Sequence, residues 1–264
     1  APRRPNVEYD VEHAGDRFLI RTNDSAANFR IVSAPEHDPS PANWRDWQAG
    51  SETVYIEGVQ AFRRHAVVQQ RRDGLRQFRV VPFDGAPAHE IAFPDAAYAL
   101  GMGDNRDFDT SSLRFTYESP VAPPAVYDYD MDRRTRVLLK QRRIPSGFDP
   151  ARYEVRRELV TVRDGARVPV SLLLPRGFPR DGSRPVLLYG YGSYGASMEP
   201  WFNGNVLSLV DRGFGYAIAH VRGGQELGRQ WYDDGKMLRK RNTFHDFTDV
   251  AEWLHRERYT SPAR

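Results

Sequence analysis

The six residues 190–195 read Gly-Tyr-Gly-Ser-Tyr-Gly and have the clearest capacity for chemistry in this sequence. Their glycine spacing matches the G-x-G-x-x-G pattern, in which backbone N–H groups at the start of a helix bind a pyrophosphate. That pattern also requires a helix that begins within it and an acidic residue at the end of the next strand. Here Pro200 follows the last glycine closely, and the next strand ends in His220-Val-Arg222. The sequence therefore gives nucleotide binding little support.

The same loop contains Ser193, the nearest approach to a serine nucleophile. The nucleophile elbow of serine hydrolases reads G-x-S-x-G, but here the second glycine is displaced by one position, so we expect Ser193 to be a loop residue. The absence of cysteine excludes a thiol nucleophile and a Cys-ligated metal. The seven histidines do not cluster at ligand spacing, so we expect no metal and assign structural roles to His220 and His245.

The composition excludes several other classes of protein. The formal net charge is only +3, and acidic residues are interleaved with short arginine clusters. We therefore expect a mixed, solvated surface and no nucleic-acid partner, because nucleic-acid-binding proteins concentrate basic residues on one face. No stretch approaches 18 apolar residues, so no membrane span is expected. The lack of cysteine and of a readable signal peptide favours a cytoplasmic location.

The first half of the sequence contains a repeat of strand-turn-strand units. The units comprise residues 16–21 with 28–32, 64–69 with 77–81, and 113–117 with 125–129. The aromatic residues Phe29, Phe78 and Tyr127 are each 49 positions apart. A period near 50 made of short antiparallel strands predicts β-propeller blades, with a sandwich as the alternative. Three blades cannot close a ring, so we expect further blades N-terminal to Ala1.

The pattern changes after a linker at residues 144–150, which contains two prolines and a glycine. The predicted elements are a hairpin of 158–162 with 168–174, a strand at 185–189, a helix at 205–212, a strand at 216–221, and a helix that starts with a capping box at Thr243. This alternation of strands and helices predicts an α/β layer with a parallel core. The two single strands are apolar on both faces, as a covered parallel sheet requires.

Several longer motifs resemble those of oligopeptidase B, a group within the prolyl oligopeptidase family of serine peptidases. They are Leu187–Ser197, Leu207–Phe214, Ala217–Gly224, Trp231–Lys236 and Asn242–Phe247, together with the upstream Phe18–Asn23, Val126–Met131 and Gly147–Pro150. The resemblance implies a mixed fold. Residues 1–143 would form about the last three blades of a seven-bladed β-propeller, and residues 144–264 the first half of an α/β-hydrolase catalytic domain.

The resemblance also implies the activity. Such an enzyme hydrolyses short basic peptides after Lys or Arg with a Ser-Asp-His triad and no cofactor. In the family the serine elbow follows a Tyr-x-Ser-Pro stretch, which residues 259–262 match. We therefore expect the triad to lie beyond residue 264, the chain alone to be inactive, and the remainder of the polypeptide to complete the fold. We also expect the next strand of the family to pair with residues 186–189.

By the same resemblance, three residues belong to the site. Tyr191 matches the tyrosine that stabilises the oxyanion, with a buried packing tyrosine as the alternative. Tyr194 matches an aromatic residue that contacts the substrate side chain, or else it packs within the loop. Glu199 matches one of two acidic positions that attract basic substrates, although the second position is Trp201; the alternative is a surface carboxylate. Arg222 is expected to order its loop.

The sequence is also compatible with a protein that binds partners without catalysis. A non-catalytic propeller could bind peptides or partner proteins and carry a degenerate α/β appendage. The glycine-flanked Tyr191 favours the peptidase, because a binding appendage needs no oxyanion donor.

Overall fold

A computed structural model describes residues 4–264, which form three antiparallel sheets followed by one mixed sheet. The first sheet contains β1 (Tyr9–His13), β2 (Arg17–Thr22), β3 (Arg30–Pro35) and β4 (Arg45–Gln48). The second contains β5 (Val54–Ala61), β6 (His65–Arg72), β7 (Leu75–Pro82) and β8 (His89–Glu90). The third contains β9 (Ala99–Met102), β10 (Ser112–Ser119), β11 (Ala122–Asp130) and β12 (Thr135–Gln141).

Each of these sheets pairs its strands in chain order, as propeller blades do. The three predicted strand-turn-strand units are confirmed and form the second and third strands of the blades. The outer strands were not predicted because several are short, with only two residues in β8 and four each in β4 and β9. Strands of that length show too little alternation to stand out from the loops.

The apolar cores of this region lie between neighbouring blades. One core joins the first two blades through Leu19, Ile31 and Val68. Another joins the second and third blades, where the Phe78 and Phe115 rings pack edge to face with centroids 5.8 Å apart. Each blade therefore buries its apolar side chains against a neighbouring blade. This arrangement excludes a two-sheet sandwich, because the second sheet packs against both of its neighbours and not against a single partner sheet.

The 49-residue spacing marks equivalent hairpins but not equivalent positions within them. Phe78 and Tyr127 lie within β7 and β11, whereas Phe29 lies one residue before β3 with a φ of 66°. All three side chains still contribute to the apolar clusters between blades.

After β12 the chain forms an α/β layer. Its elements are β13 (Tyr153–Thr161), β14 (Arg167–Pro175), β15 (Val186–Tyr189), α1 (Gly204–Val210), β16 (Gly215–Ala219), α2 (Arg229–Asp233) and α3 (Arg241–Arg256). The strand order is β13-β14-β16-β15, and only β15 and β16 pair in parallel. Helix α3 covers one face of the sheet through Val250 and Leu254, and α1 covers the other through Leu207 and Val210. The predicted partial propeller followed by a hydrolase part is thus confirmed.

Two local predictions are wrong. Strand β15 is not covered on both faces, since Leu187 and Tyr189 are each 43% exposed and β15 forms the edge of the sheet. Thr243 does not cap α3, which begins two residues earlier. Instead, the Thr243 hydroxyl donates a hydrogen bond of 2.6 Å to the carbonyl oxygen of Arg222. The Thr243 side chain thus bonds to a carbonyl of the neighbouring loop and not to the N–H groups of its own helix.

Candidate active site

Tyr191 lies two residues beyond the carboxyl end of β15, with its side chain half-exposed. Its exposed fraction is 46%, and its hydroxyl forms no hydrogen bond with any residue of the described range 4–264. The next residue, Gly192, has a φ of +63°, and a Cβ atom there would lie 2.4 Å from Thr243 Cγ2. The backbone therefore packs inward while the tyrosine side chain extends outward. This placement excludes the alternative of a buried packing tyrosine.

Tyr194 is held in an unfavourable backbone conformation at the tip of the same loop. Its φ is 58°, that of Gly195 is 69°, and the N–H of Ala196 donates a hydrogen bond of 3.0 Å to the carbonyl oxygen of Ser193. Two central residues with positive φ form a tight turn in which the first position favours Asn, Asp or Gly. Tyr194 adopts this conformation with 88% of its surface exposed, so packing does not explain the strain.

Glu199 lies at the contact between the α/β layer and the second propeller blade. Its side chain is only 13% exposed and forms an ion pair with Arg71 on β6, and Arg76 Nη2 lies 3.6 Å from its Oε1 atom. Arg71 also donates from Nε to Glu57 Oε1 at 2.6 Å. Burial raises the pKa of Glu57, but Arg71 and Arg76 outweigh burial and hold the pKa below its ordinary value. Glu199 is therefore an interdomain residue and not a surface carboxylate.

Further contacts hold the two regions together around the Tyr191 loop. Tyr55 donates a hydrogen bond of 3.4 Å to Gln225 Oε1, and Asn28 Oδ1 accepts one of 2.8 Å from the N–H of Arg229. Glu118 Oε2 accepts a hydrogen bond of 2.9 Å from the N–H of Phe202. Each blade thus contributes at least one polar contact to the α/β layer. No local pattern predicts these contacts, because the partners are far apart along the chain.

Arg222 confirms the expectation that it orders its loop. Its guanidinium is buried and binds Asp246 on α3, with Nε 2.9 Å from Oδ2, and Nη1 donates to Asp164 Oδ2 at 2.6 Å. The hydrogen bond from Arg222 is the main reason that the pKa of Asp164 is lowered. Both carboxylates belong to the protein itself, so this arginine has no free face for a substrate.

His220 takes part in a buried polar arrangement that superficially resembles a triad. Its Nε2 atom lies 2.8 Å from Ser171 Oγ, and its Nδ1 atom lies 3.8 Å from Glu226 Oε1. All three side chains are at most 3% exposed, so no substrate can reach the serine hydroxyl. The structural role expected for His220 is confirmed, and His245 lies half-buried within α3.

The residues that the structure describes show no metal site or membrane-spanning helix. Across residues 4–264, no group of three or more His, Asp or Glu side chains converges as a metal site. The helices in the same range are all too short or too polar to cross a bilayer.

Two parts of the chain match models of one known protein family. Residues 1–142 match the model of the prolyl oligopeptidase N-terminal β-propeller domain, and residues 200–264 match the model of the prolyl oligopeptidase family. The chain belongs to the prolyl oligopeptidase family. It is 43% identical over its whole length to dipeptidyl aminopeptidase BI of Pseudoxanthomonas mexicana, and 34% identical over 99% of its length to protease 2 of Moraxella lacunata. It spans 36% and 37% of the lengths of these two relatives.

Solved structures of the family have the same architecture. Oligopeptidase B from Leishmania major superposes on the whole chain with a TM-score of 0.90 at 34% identity. Oligopeptidase B from Trypanosoma brucei, in a closed form with covalently bound antipain, also gives 0.90, at 37% identity. The chain covers 38% of each of these proteins. The family to which this chain belongs is thus one of serine peptidases.

Proposed function

We propose that this chain is part of a serine oligopeptidase that hydrolyses short peptides after Lys or Arg, with Tyr191 as a donor to the oxyanion. The half-exposed Tyr191 side chain, whose hydroxyl is without a partner in residues 4–264, supports the proposal most strongly. A donor that already bonds to the protein would have to break that bond before it could stabilise a transition state. Tyr191 has no such bond to lose.

The proposed reaction proceeds through an acyl-enzyme. A serine hydroxyl attacks the substrate carbonyl carbon, its proton passes to a histidine, and negative charge develops on the carbonyl oxygen. The C–N bond then breaks as the histidine returns the proton to the leaving amine, and water hydrolyses the resulting acyl-enzyme to release the second product and free the serine. The Tyr191 hydroxyl donates a hydrogen bond to that oxygen, and we propose the backbone N–H that follows the serine as the second donor. We propose that polypeptide outside these 264 residues supplies the Ser-Asp-His triad. The chain alone is then catalytically incomplete.

Tyr194 supports the preference for basic substrates. Its exposed ring can bind a lysine or arginine side chain through cation–π attraction, worth about 0.5–1 kcal/mol at an exposed site. The backbone strain at Tyr194 supports a binding role, since strained residues without a packing explanation cluster at functional sites. In this proposal Glu199 does not bind the substrate directly, because its carboxylate forms an ion pair with Arg71. The proposed specificity for cleavage after Lys or Arg rests on the resemblance to oligopeptidase B.

Replacement of Tyr191 by Phe in the complete peptidase tests the proposal. We expect kcat to fall about 10²–10³-fold with little change in KM, as when one oxyanion donor is removed. Tyr189→Phe is the matched control, because Tyr189 has a similar exposure of 43% but lies within β15. Unchanged kcat in Tyr191→Phe would contradict the oxyanion role.

A fluorophosphonate label separates the peptidase from a non-catalytic binding propeller. The complete protein should react at one serine, and residues 1–264 alone should not react. Failure of the complete protein to label would favour the binding propeller.

The relationship to a dipeptidyl aminopeptidase at 43% identity gives a second candidate activity. The two activities differ in their need for a free substrate amino group. An oligopeptidase should release dye from an N-terminally blocked Arg-Arg amide, and it should not cleave the corresponding Pro amide. An aminopeptidase should act on the unblocked Arg-Arg amide alone. Cleavage restricted to unblocked substrates would replace our proposal with the aminopeptidase.

A further inference from the structure

One lysine at the start of α3 binds the loop that carries Tyr191. Lys240 Nζ lies 2.7 Å from Ser193 Oγ, and it also donates a hydrogen bond to the carbonyl oxygen of Gly192. The ammonium therefore contacts the two residues that directly follow Tyr191. Because an ammonium has only donors, Ser193 Oγ accepts from it and keeps its own proton free for another partner.

The position of Lys240 is unfavourable for a lysine in other respects. It is the N-cap residue of α3 and makes no capping hydrogen bond through its side chain. N-caps favour Ser, Thr, Asp and Asn, and the helix dipole disfavours a cation at this end by about 0.3–1 kcal/mol. In addition, burial of the ammonium lowers the pKa of Lys240, because burial disfavours the charged form. The hydrogen bonds to the Tyr191 loop offset these costs, together with a cation–π contact in which Lys240 Nζ lies 5.9 Å from the centroid of the Phe244 ring.

The surroundings leave the loop little freedom to adjust. The backbone of Gly192 packs against the Thr243 side chain, which leaves no room for a Cβ atom. The Thr243 hydroxyl in turn binds the Arg222 carbonyl, and the Arg222 side chain binds Asp246. The first turns of α3, the Tyr191 loop and the turn after β16 thus form one packed unit, in which the Lys240 ammonium binds the loop itself.

We propose that Lys240 is a positioning residue for the Tyr191 hydroxyl. By fixing the Gly192 carbonyl and the Ser193 hydroxyl, it sets the direction in which the Tyr191 side chain leaves the loop. The inference rests on the proposed oxyanion role of Tyr191. An oxyanion donor is effective only if it is held in place before the reaction begins, so loosening the loop reduces kcat without removing a contact to the substrate.

Lys240→Met in the complete peptidase tests the inference. We expect kcat to fall about ten- to a hundredfold with KM almost unchanged, since small misplacements of a catalytic group have effects of this size. Lys240→Arg keeps a donor cation and should recover most of the activity. Lys236→Met is the matched control, because Lys236 Nζ pairs with Asp233 at 2.5 Å and does not bind the loop. Unchanged kcat in Lys240→Met would overturn the inference.

A double-mutant cycle with Tyr191→Phe separates positioning from a general structural role. If Lys240 acts through the tyrosine hydroxyl, adding Lys240→Met to Tyr191→Phe should change kcat by less than about twofold. An equal loss of kcat in both backgrounds would show a structural role and refute the inference. If Lys240→Met melts below the assay temperature, Lys240→Ala, which also removes the donor, takes its place in the cycle with the same two outcomes.

The cycle also distinguishes this inference from the proposed function. If Tyr191→Phe leaves kcat unchanged, the oxyanion proposal fails, and the Lys240 inference fails with it. If Tyr191→Phe lowers kcat while Lys240→Met does not, only the Lys240 inference fails.

Discussion

At the scale of single residues, three tyrosines lie close together at the end of β15 and in the loop that follows it. Tyr189 and Tyr191 are 43% and 46% exposed, whereas Tyr194 is 88% exposed at a strained turn position. Gly192 explains much of the difference, because its close packing on Thr243 fixes the backbone directly after Tyr191. The local backbone conformation therefore contributes to the direction in which the Tyr191 side chain leaves the loop.

Replacing Tyr194 by Ala should weaken the binding of basic substrates. We expect KM for an Arg-Arg amide to rise about two- to fivefold with kcat almost unchanged, because loss of one exposed cation–π contact is worth about 0.5–1 kcal/mol. Tyr194→Phe retains the aromatic face and should behave like the parent enzyme. Steady-state kinetics with Arg-Arg and uncharged substrates provide the measurement. An equal rise in KM for the uncharged substrate would argue against recognition of charge.

Replacing Glu199 by Gln should destabilise the contact between the propeller and the α/β layer. The substitution leaves Arg71 with one charged partner instead of two, so we expect a loss of about 1–3 kcal/mol in the free energy of unfolding. Glu252→Gln is the control, because Glu252 is exposed and forms no ion pair within residues 4–264. Denaturant unfolding of both variants measures the difference.

Kinetics with Glu199→Gln test the role predicted from the family resemblance. If Glu199 serves the domain contact, KM should change by the same factor for substrates with one and with two basic residues. A selective increase in KM for dibasic substrates, with stability unchanged, would instead support direct substrate binding by Glu199.

At the scale of elements, α3 links the hairpin of β13 and β14 to the site. Asp249 on α3 accepts hydrogen bonds from Arg163 in the turn between β13 and β14, at 2.8 Å from the backbone N–H and 2.9 Å from Nε. The hydrogen bond from the Arg163 side chain holds the pKa of Asp249 below its ordinary value. Two turns of the α/β layer are thus fixed to one helix, since Asp246 binds Arg222 on the same side.

The Asp249 pair predicts a dependence of stability on pH. A carboxyl whose pKa is lower in the folded state stabilises the fold above its ordinary pKa, and this stabilisation is lost as the pH falls through the folded value. We expect Asp249→Asn to lower the free energy of unfolding by about 1–3 kcal/mol at pH 7. The difference from the parent should begin to shrink as the pH falls below the ordinary aspartate pKa of about 3.9, where the unfolded chain takes up the proton before the folded one.

Unfolding by urea at pH 7 and pH 3 measures this effect. Asp104→Asn is the control, because Asp104 is 67% exposed and pairs with Arg106 in solvent. A difference between Asp249→Asn and the parent that stays constant with pH would show that the lowered pKa contributes nothing to stability.

At the scale of the whole molecule, the mixed sheet ends in an exposed apolar edge at β15. Leu187 and Tyr189 are partly exposed there, and the backbone of β15 has a strand partner only on the side of β16. The opposite edge, β13, carries several charged residues, which discourage pairing with another chain. The two edges of one sheet therefore differ in their tendency to associate.

Residues 1–264 expressed alone should associate through β15. We expect aggregates in sedimentation or light scattering, and we expect Leu187→Lys to reduce them, because a charge on an edge strand opposes pairing. Leu238→Lys is the control, since Leu238 is fully exposed but lies outside the strands. A monomeric parent chain with a sharp thermal transition would contradict the prediction.

Analysis of the amino-acid sequence predicted the middle strands of the blades, the elements of the α/β layer and the loop that carries Tyr191. Alternating strands with turn residues predicted the middle strands of each blade, and the change of period after residue 144 predicted the α/β layer. These signals are local, because a strand or turn depends on residues that are neighbours in the chain. For the same reason the glycine-flanked Tyr191 could be selected from sequence. The hydrogen bond from Thr243 to the Arg222 carbonyl joins two separate segments, and the sequence pattern wrongly predicted a helix cap there.

Only the tertiary structure decided which side chains meet. Glu199 and Arg71 are 128 positions apart, and Lys240 reaches Ser193 across 47 positions. Neither pair leaves a periodic signal, because its geometry depends on how separate sheets and helices dock. The incomplete cover of the faces of β15 could not be predicted for the same reason, since an apolar strand has the same sequence pattern whether or not a neighbouring element covers it. Its position at the edge of the sheet agrees with the expectation that its next partner strand lies beyond residue 264. Docking thus assigned Glu199 to the domain contact and left the Tyr191 hydroxyl accessible.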